Sequence, residues 1–390
     1  MNLDSGHVPK KPRTKVLFVI ESLAGGGAEK VLATLVKLID KERFYVSVCT
    51  VVDTGVHADE VKKHADAYTS ILGDPARMGF LRKLWYKIMY KMVYHVLPMR
   101  WVYTLFVPHH ADVELAFIEG FVTKLMAHSS NIHAKKIAWI HVDLGYNHWT
   151  ASEYRSLRHE AKCYQIFDSV IGVSKKVTGA AHRLFYTKHA ITLYNPIDRK
   201  EIWGKSLAYC KLPPHSRFRI VSLGRYVEQK SYMRLLRIVN RIHKEGYPIE
   251  LWLLGDGSER GKYEEYIAAN RLNDAVRLWG FQRNPYPYLK ASSLYVCSSE
   301  YEGYSTAVHE ALIVGLPVVS TDVSGADELL HHGACGLITA NHEDALYEGI
   351  KSLLDHPEKL DEYKSNISRH YGQDVPNDQM KRIEYVLISK

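Results

Sequence analysis

An alternation of short apolar runs and helical stretches, met twice along the chain, restricts the fold more than any other feature. TKVLFVI (14–20) leads through a Gly-rich loop into VLATLVKLID, and FYVSVCTVV (44–52) follows. VELAFI (113–118), KIAWIHV (136–142), SVIGVS (169–174) and AITLYN (190–195) continue the series, separated by helical segments. The second half repeats it with FRIVSLG (218–224), IELWLLG (249–255), VRLWG (276–280), LYVCSS (294–299) and PVVSTD (317–322). Apolar runs of strand length alternating with helices describe an α/β chain whose parallel sheets are doubly wound, with helices on both faces. At 390 residues the chain exceeds what one core holds, so two domains are expected.

The predicted organisation is a loose tail at 1–13, a first domain at 14–200, a second at 201–375, and a last helix at 376–390. The break falls in DRKEIWGKSLAYCKLPPHSR (198–217), where helical periodicity lapses and Pro213-Pro214 stand. Five scattered cysteines, an odd number without a Cys-x-x-Cys pair, point to a reducing compartment and away from a disulfide framework. No secretory signal and no apolar run of spanning length is read, so a cytoplasmic protein is expected. Charge is divided unevenly. Residues 1–200 hold 28 Lys and Arg against 18 Asp and Glu, and the remainder hold 23 against 25. The basic first half suggests an anionic surface as partner.

In open α/β sheets ligands bind beyond the carboxyl ends of the strands, and the unusual residues cluster in those loops. Gly25-Gly26-Gly27-Ala28-Glu29 opens a helix and lets a phosphate or sugar approach the backbone. Lys30 stands where the nicotinamide-cofactor pattern needs its third glycine, which excludes that reading. Gly224-Arg225 with Lys230 places two cations at a sheet mouth, suited to a diphosphate or else merely solvated. Gly255-Asp256-Gly257 and Phe281-Gln282 follow the next strands, and the latter loop could bind a flat base. The stretch SSEYEGYSTAVHEALIVGLPVVSTD is the most telling. Ser305 or Thr306 caps a helix that runs to Val314, with Gly315 behind it. Glu302 lies before that helix and Glu310 inside it, among Ala307, Val308, Ala311 and Leu312, so a carboxylate is predicted in a buried setting. In the first half His141, Glu119 and Asn195 stand at strand ends, with Asp143 two positions beyond His141.

Together these residues resemble the retaining glycosyltransferases of family 4. The match rests on Glu302-Gly303-Tyr304-Ser305-Thr306-Ala307-Val308-His309-Glu310-Ala311, followed by Gly315-Leu316-Pro317-Val318-Val319. Gly224-Arg225 with Lys230, Gly255-Asp256-Gly257, Asn195-Pro196-Ile197-Asp198 and the Gly25–Glu29 loop come in the family's order. The resemblance implies two Rossmann-like domains facing across a cleft, with the last helix crossing back to the first. It also implies transfer of a hexose or N-acetylhexosamine from a nucleotide diphosphate sugar, taken as a UDP-sugar, with retention at the anomeric carbon. Arg225 and Lys230 would neutralise the diphosphate, Glu310 would hold the ribose, and Glu302 would hold the sugar with the backbone near Gly303, Tyr304, Ser305 and Thr306. His141 would sit beside the transferred sugar. Gly26 and Gly27 would shape the donor–acceptor junction, and Gly224, Gly255, Phe281 and Asn195 would complete the donor site. No cofactor or metal is implied. Pro196 departs from the family's glycine and removes a backbone N–H beside Asn195.

The expected acceptor is a lipid-linked or polysaccharide glycan of a bacterial surface. Residues 77–106 carry six Lys and Arg (Arg77, Arg82, Lys83, Lys87, Lys91, Arg100), no acid, and interleaved Tyr, Trp, Met and Leu. They read as an in-plane segment on an anionic inner-membrane surface, or as a packed helix with cations in water. A nucleotide-sugar epimerase of the same architecture is the alternative enzyme. A nucleic-acid-binding protein has only the sequence pI of about 9.0 behind it.

Overall fold

The computed structural model of the chain describes residues 12–214, 217–373 and 378–389. The expected tail lies almost wholly outside these residues, as do the first two residues of the expected last segment.

Two parallel sheets organise the molecule. The first has seven strands in the order β3-β2-β1-β4-β5-β6-β7. They are β1 (Thr14–Ile20), β2 (Phe44–Thr50), β3 (Ala67–Ser70), β4 (Val113–Ala116), β5 (Lys135–Ile140), β6 (Ser169–Gly172) and β7 (Ala190–Thr192). The second has six strands in the order β10-β9-β8-β11-β12-β13. They are β8 (Phe218–Leu223), β9 (Ile249–Leu254), β10 (Val276–Gly280), β11 (Leu294–Cys297), β12 (Val318–Thr321) and β13 (Gly336–Thr339). In both, the order reverses beside the first strand of the sheet, which opens a crevice there at the carboxyl ends. Every strand read from apolar runs is present. The runs over-reach by one to three residues at several C-terminal ends, where the apolar pattern continues into the first loop residues. Two edge strands, AYTS (β3) and GLIT (β13), escape the pattern because they are short and only partly buried.

The strands read as near-continuous apolar runs because helices cover both faces of each sheet. Phe18, Phe117 and Trp139 are fully buried in the first core, and Trp252 lies fully buried in the second domain. Where 198–217 was read as lacking periodicity, a helix Arg199–Ser206 forms, capped by Asp198, whose side chain accepts from Glu201 N at 2.9 Å. Only Ile202 and Ser206 of this helix are buried, too few to leave an apolar stripe in the sequence.

Buried charge pins the chain that follows. Arg219, 1% exposed, donates to Glu250 at 2.8 Å, to the carbonyl of Ala291 at 2.7 Å and to those of Pro213 and Pro214, and stacks over Trp252 at 3.7 Å. A guanidinium taken out of water needs that full set of acceptors. The same bonds fasten the Pro-Pro linker to the second sheet. The last helix, Gln379–Ile388, returns to the first domain and places Ile383 and Leu387 in its core. Glu384 there accepts from Asp40 N at 3.0 Å and from Arg43 at 2.9 Å, while Lys135 donates to the carbonyls of Val386 and Ser389, each at 2.6 Å.

The basic stretch 77–106 is not one helix. It divides into Phe80–Lys91, a π-turn Met92–Val96 and Met99–Phe106, with Pro98 at the second start. The first of these has no buried residue, and Phe80, Leu81, Leu84, Trp85 and Ile88 stand in solvent on it. Among the described residues no helix is long and apolar enough to cross a membrane.

Candidate active site

The strand order carries the loops after β1, β4, β5, β8 and β11 to facing edges of the two sheets. The contacts that follow join the domains there.

Helix Thr306–Ile313 begins at Ser305, whose hydroxyl accepts from Val308 N. The helix is apolar on nearly every side, which buries it and takes Glu310 with it; Glu310 is 2% exposed. A buried carboxylate requires a partner. Its Oε1 accepts from Nζ of Lys30 at 2.5 Å, and Lys30 also donates to the Tyr286 hydroxyl at 3.3 Å. Lys30 lies on α1 (Gly27–Leu38) of the first domain, so this ion pair spans the cleft. Burial works against the Lys30 charge, but Glu310 and Tyr286 outweigh it and raise its pKa. Beside it the two helix starts adjoin, since a Cβ on Gly27 would lie 3.9 Å from Thr306 Oγ1.

A second pair has its carboxylate in the loop before helix Thr306–Ile313. Lys230 Nζ donates to Glu302 Oε1 at 2.5 Å, and Ser299 Oγ donates to the same oxygen at 2.7 Å. Burial disfavours the Lys230 charge, but the adjacent carboxylate more than compensates and raises its pKa. Gly224 leaves the room this lysine needs, because a Cβ there would meet the Tyr232 hydroxyl at 2.8 Å and Lys230 Cε at 3.2 Å. Gly255, at φ 137°, has its Cα face against the Gly224 carbonyl, where a side chain would collide at 1.9 Å. The two glycine loops are therefore stacked by necessity.

Gly303 lies against the first domain. A Cβ there would stand 2.0 Å from the carbonyl oxygen of His141. The His141 backbone is held from behind by Glu119, whose Oε2 accepts its N–H at 3.0 Å. Asp143 continues the seam and accepts from Ser324 Oγ at 2.5 Å. Part of the His141 surface is exposed, yet both ring nitrogens are buried, and neither makes a hydrogen bond of good geometry, although the Phe117 backbone favours its charged form. Burial pushes its pKa down to about 3, so the imidazole is neutral.

Three carboxyls line the first-domain side. Burial raises Glu119 to about 7 against the pull of its backbone donors, with repulsion from Glu29 adding to the rise. Burial also raises Glu29, while its own backbone and Arg225 oppose the rise and Glu21 adds to it. The Glu29 carboxylate folds over Gly26, where a Cβ would come within 2.2 Å of Oε2, so the start of α1 is already covered by a negative group. Arg225 is exposed and close enough to act on both Glu29 and Lys230.

Of the residues singled out in the sequence, Arg225, Lys230, Gly224, Gly255, Glu302, Gly303, Tyr304, Ser305, Thr306 and Glu310 come together on the second-domain side. His141, Gly26 and Gly27 meet them from the first. Asn195 reaches across with Nδ2 at 3.4 Å from the Tyr304 carbonyl and leaves its Oδ1 without a partner; the Tyr304 ring stacks on Tyr194. Phe281 is 58% exposed, at the outer margin. Lys30, Glu29 and Tyr286 were missed as partners, and no local signal marks them, because their importance comes from the facing domain. Among the described residues no three His, Cys, Asp or Glu side chains are grouped to hold a metal. The arrangement supplies cations and the start of helix Thr306–Ile313 for an anion, and carboxylates for hydroxyls.

Comparison with known proteins agrees with this geometry. The family described as glycosyl transferases group 1 matches residues 211–370. The N-acetylgalactosamine-N,N'-diacetylbacillosaminyl-diphospho-undecaprenol 4-alpha-N-acetylgalactosaminyltransferase of Campylobacter jejuni is 31% identical over 175 residues, 44% of this chain and 46% of that one. The lipopolysaccharide core biosynthesis glycosyltransferase LpsD of Rhizobium meliloti is 30% identical over 145 residues, 37% of this chain and 41% of its own. The chain thus spans under half the length of these relatives. Anabaena HepE in complex with UDP superimposes with a TM-score of 0.73 at 20% identity, covering 96% of this chain and 99% of that one. TarM gives 0.74 at 13% identity, covering 98% and 100%. Residues 211–370 thus match the glycosyl transferases group 1 family, and the whole chain shares its fold with HepE and TarM.

Proposed function

We propose that the protein is a retaining glycosyltransferase that moves a hexose or N-acetylhexosamine from a UDP-sugar to a lipid-linked or polysaccharide glycan. The observation that carries this reading is the pairing of Lys230 with Glu302 at 2.5 Å at the mouth of the second sheet, beside the start of helix Thr306–Ile313. A cation and a carboxylate in contact hold an empty site neutral. When a nucleotide diphosphate sugar enters, the cation turns to the diphosphate and the carboxylate to sugar hydroxyls. Arg225 adds a second charge on the leaving group, Glu310 takes the ribose, and Gly303 to Thr306 present backbone to the sugar. Gly224, Gly255, Asn195 and the outlying Phe281 complete the donor side, and Gly26 and Gly27 border the acceptor.

Retention follows a front-face course in this reading. The departing phosphate accepts the acceptor's proton, and the protein acts by positioning and by stabilising charge. His141, neutral at working pH, lies beside the sugar and does not transfer a proton. No cofactor or metal has a role in this course. The UDP held by HepE supports uridine as the base, and the undecaprenyl diphosphate in the Campylobacter relative's name supports a lipid-linked acceptor. The exposed apolar and basic face of Phe80–Lys91 supports attachment to an anionic membrane surface on the cytoplasmic side, where such an acceptor is presented.

Product analysis tests the reaction. The protein is incubated with UDP-hexoses and UDP-N-acetylhexosamines and a short-chain polyprenyl-diphosphate saccharide, and the product is examined by proton NMR. An extended glycan with the donor's anomeric configuration is expected. An inverted linkage, or an epimerised sugar nucleotide without an extended acceptor, would overturn the proposal.

A further inference from the structure

We infer that Lys30 is a built-in competitor for the donor: its ammonium occupies the ribose-binding carboxylate of Glu310, and a nucleotide must displace it to bind. The inference rests on the proposed role of Glu310 and concerns what fills that place beforehand.

Three observations converge on it. Glu310 is 2% exposed and takes Lys30 at 2.5 Å. The lysine comes from the other domain, on the first turn of α1, so the contact exists only when the two domains are together. Lys30 is further held by the Tyr286 hydroxyl at 3.3 Å and lies over the Tyr286 ring at 5.5 Å from its centroid. The lysine thus has a defined seat on the second domain. Ribose hydroxyls binding Glu310 through both carboxylate oxygens need the oxygen that Lys30 holds. Ribose and ammonium compete for that oxygen, and exchange is feasible because the Lys30 side chain is 34% exposed and has water to move into.

The exchange makes donor affinity depend on a first-domain residue, although Glu310 belongs to the second. Removing the ammonium leaves the empty protein with an unpaired buried carboxylate, which destabilises the unliganded state. The liganded state, in which hydroxyls satisfy Glu310, is affected less. Binding must then tighten, since a ligand gains whatever the free state loses.

The test is calorimetric titration of UDP into the full chain, the Lys30→Met variant and the Glu310→Gln variant, with circular dichroism melts alongside. Lys30→Met is expected to bind UDP about fivefold or more tightly, the low end of linked-site coupling, and to melt lower without ligand. Lys30→Arg keeps the charge and is expected to bind as the unaltered protein does. Unchanged or weaker binding by a folded Lys30→Met would overturn the inference. If Lys30→Met does not fold, a Lys30→Arg variant that binds UDP more tightly than the unaltered chain overturns it, and equal binding supports it. Failure of the underlying reading looks different: the unaltered protein would not bind UDP, or Glu310→Gln would bind it undiminished.

Discussion

Glu119 shows how a single carboxyl can be placed under strain by its surroundings. It is 1% exposed, and burial lifts its pKa to about 7, above the ordinary value near 4.3. Between these values the folded state holds a proton that the unfolded state has released, so this group's contribution to stability falls as pH rises from about 4.3 to 7. Glu119→Gln keeps an acceptor for His141 N–H and removes the charge. Thermal melts should show it stabilised at pH 8 by roughly 1–3 kcal/mol relative to its effect at pH 5; an equal effect at both would show that the carboxylate is not strained. Lys230 poses the opposite case. Lys230→Ala should leave the fold intact and lower turnover by at least ~100-fold, the scale of losing one preorganised electrostatic contact. A folded variant with normal turnover would remove the diphosphate role. Both residues stand out in the sequence by position, Glu119 at a strand end and Lys230 in the loop that follows another. Their burial and partners do not, because Glu302 is 72 residues from Lys230 in the chain.

Elements carry the next set of consequences. The turn at Gly303 and the segment 141–143 form one seam, and the glycine is required because His141's carbonyl occupies the space of a side chain. Gly303→Ala should force the domains apart locally and reduce turnover tenfold or more, since misplacement of about 1 Å has such effects, while circular dichroism still reports a folded chain. Unaltered turnover would mean the seam is not part of the working state. The segment 77–106 reads either as an in-plane segment on an anionic membrane surface or as a packed helix with cations in water, and its Phe80–Lys91 helix leaves apolar residues exposed. The segment breaks at Met92–Val96 and Pro98, and Val93, Val102 and Tyr103 enter the core there. Trp85→Glu should abolish cosedimentation with phosphatidylglycerol vesicles at low salt. Cosedimentation undiminished by this change would assign the helix another partner.

At the scale of the whole molecule, the doubly wound pattern was legible because the core strands are apolar and alternate with helical stretches. What was not legible is how the halves meet. Lys30, Asp143 and Lys176, the last donating to Asp322 at 2.6 Å, look like ordinary surface residues until the opposite domain is present. The return of the last helix followed from resemblance, and its attachment through Glu384 and Ile383 follows from packing. Ile383→Ala should destabilise the first domain by about 2–5 kcal/mol, as truncations in a filled core do; a loss below 1 kcal/mol in denaturant unfolding would show the helix to be loosely docked.

The central claim is that the cations and carboxylates at the seam form a nucleotide-sugar site. Thermal stabilisation by a panel of nucleoside diphosphates and their sugars, with and without magnesium, tests it most directly, because a ligand that binds only the folded state raises its melting temperature by mass action. The account predicts a rise with UDP and UDP-sugars, undiminished when magnesium is omitted and lost in Lys230→Ala. No rise with any nucleotide would contradict it.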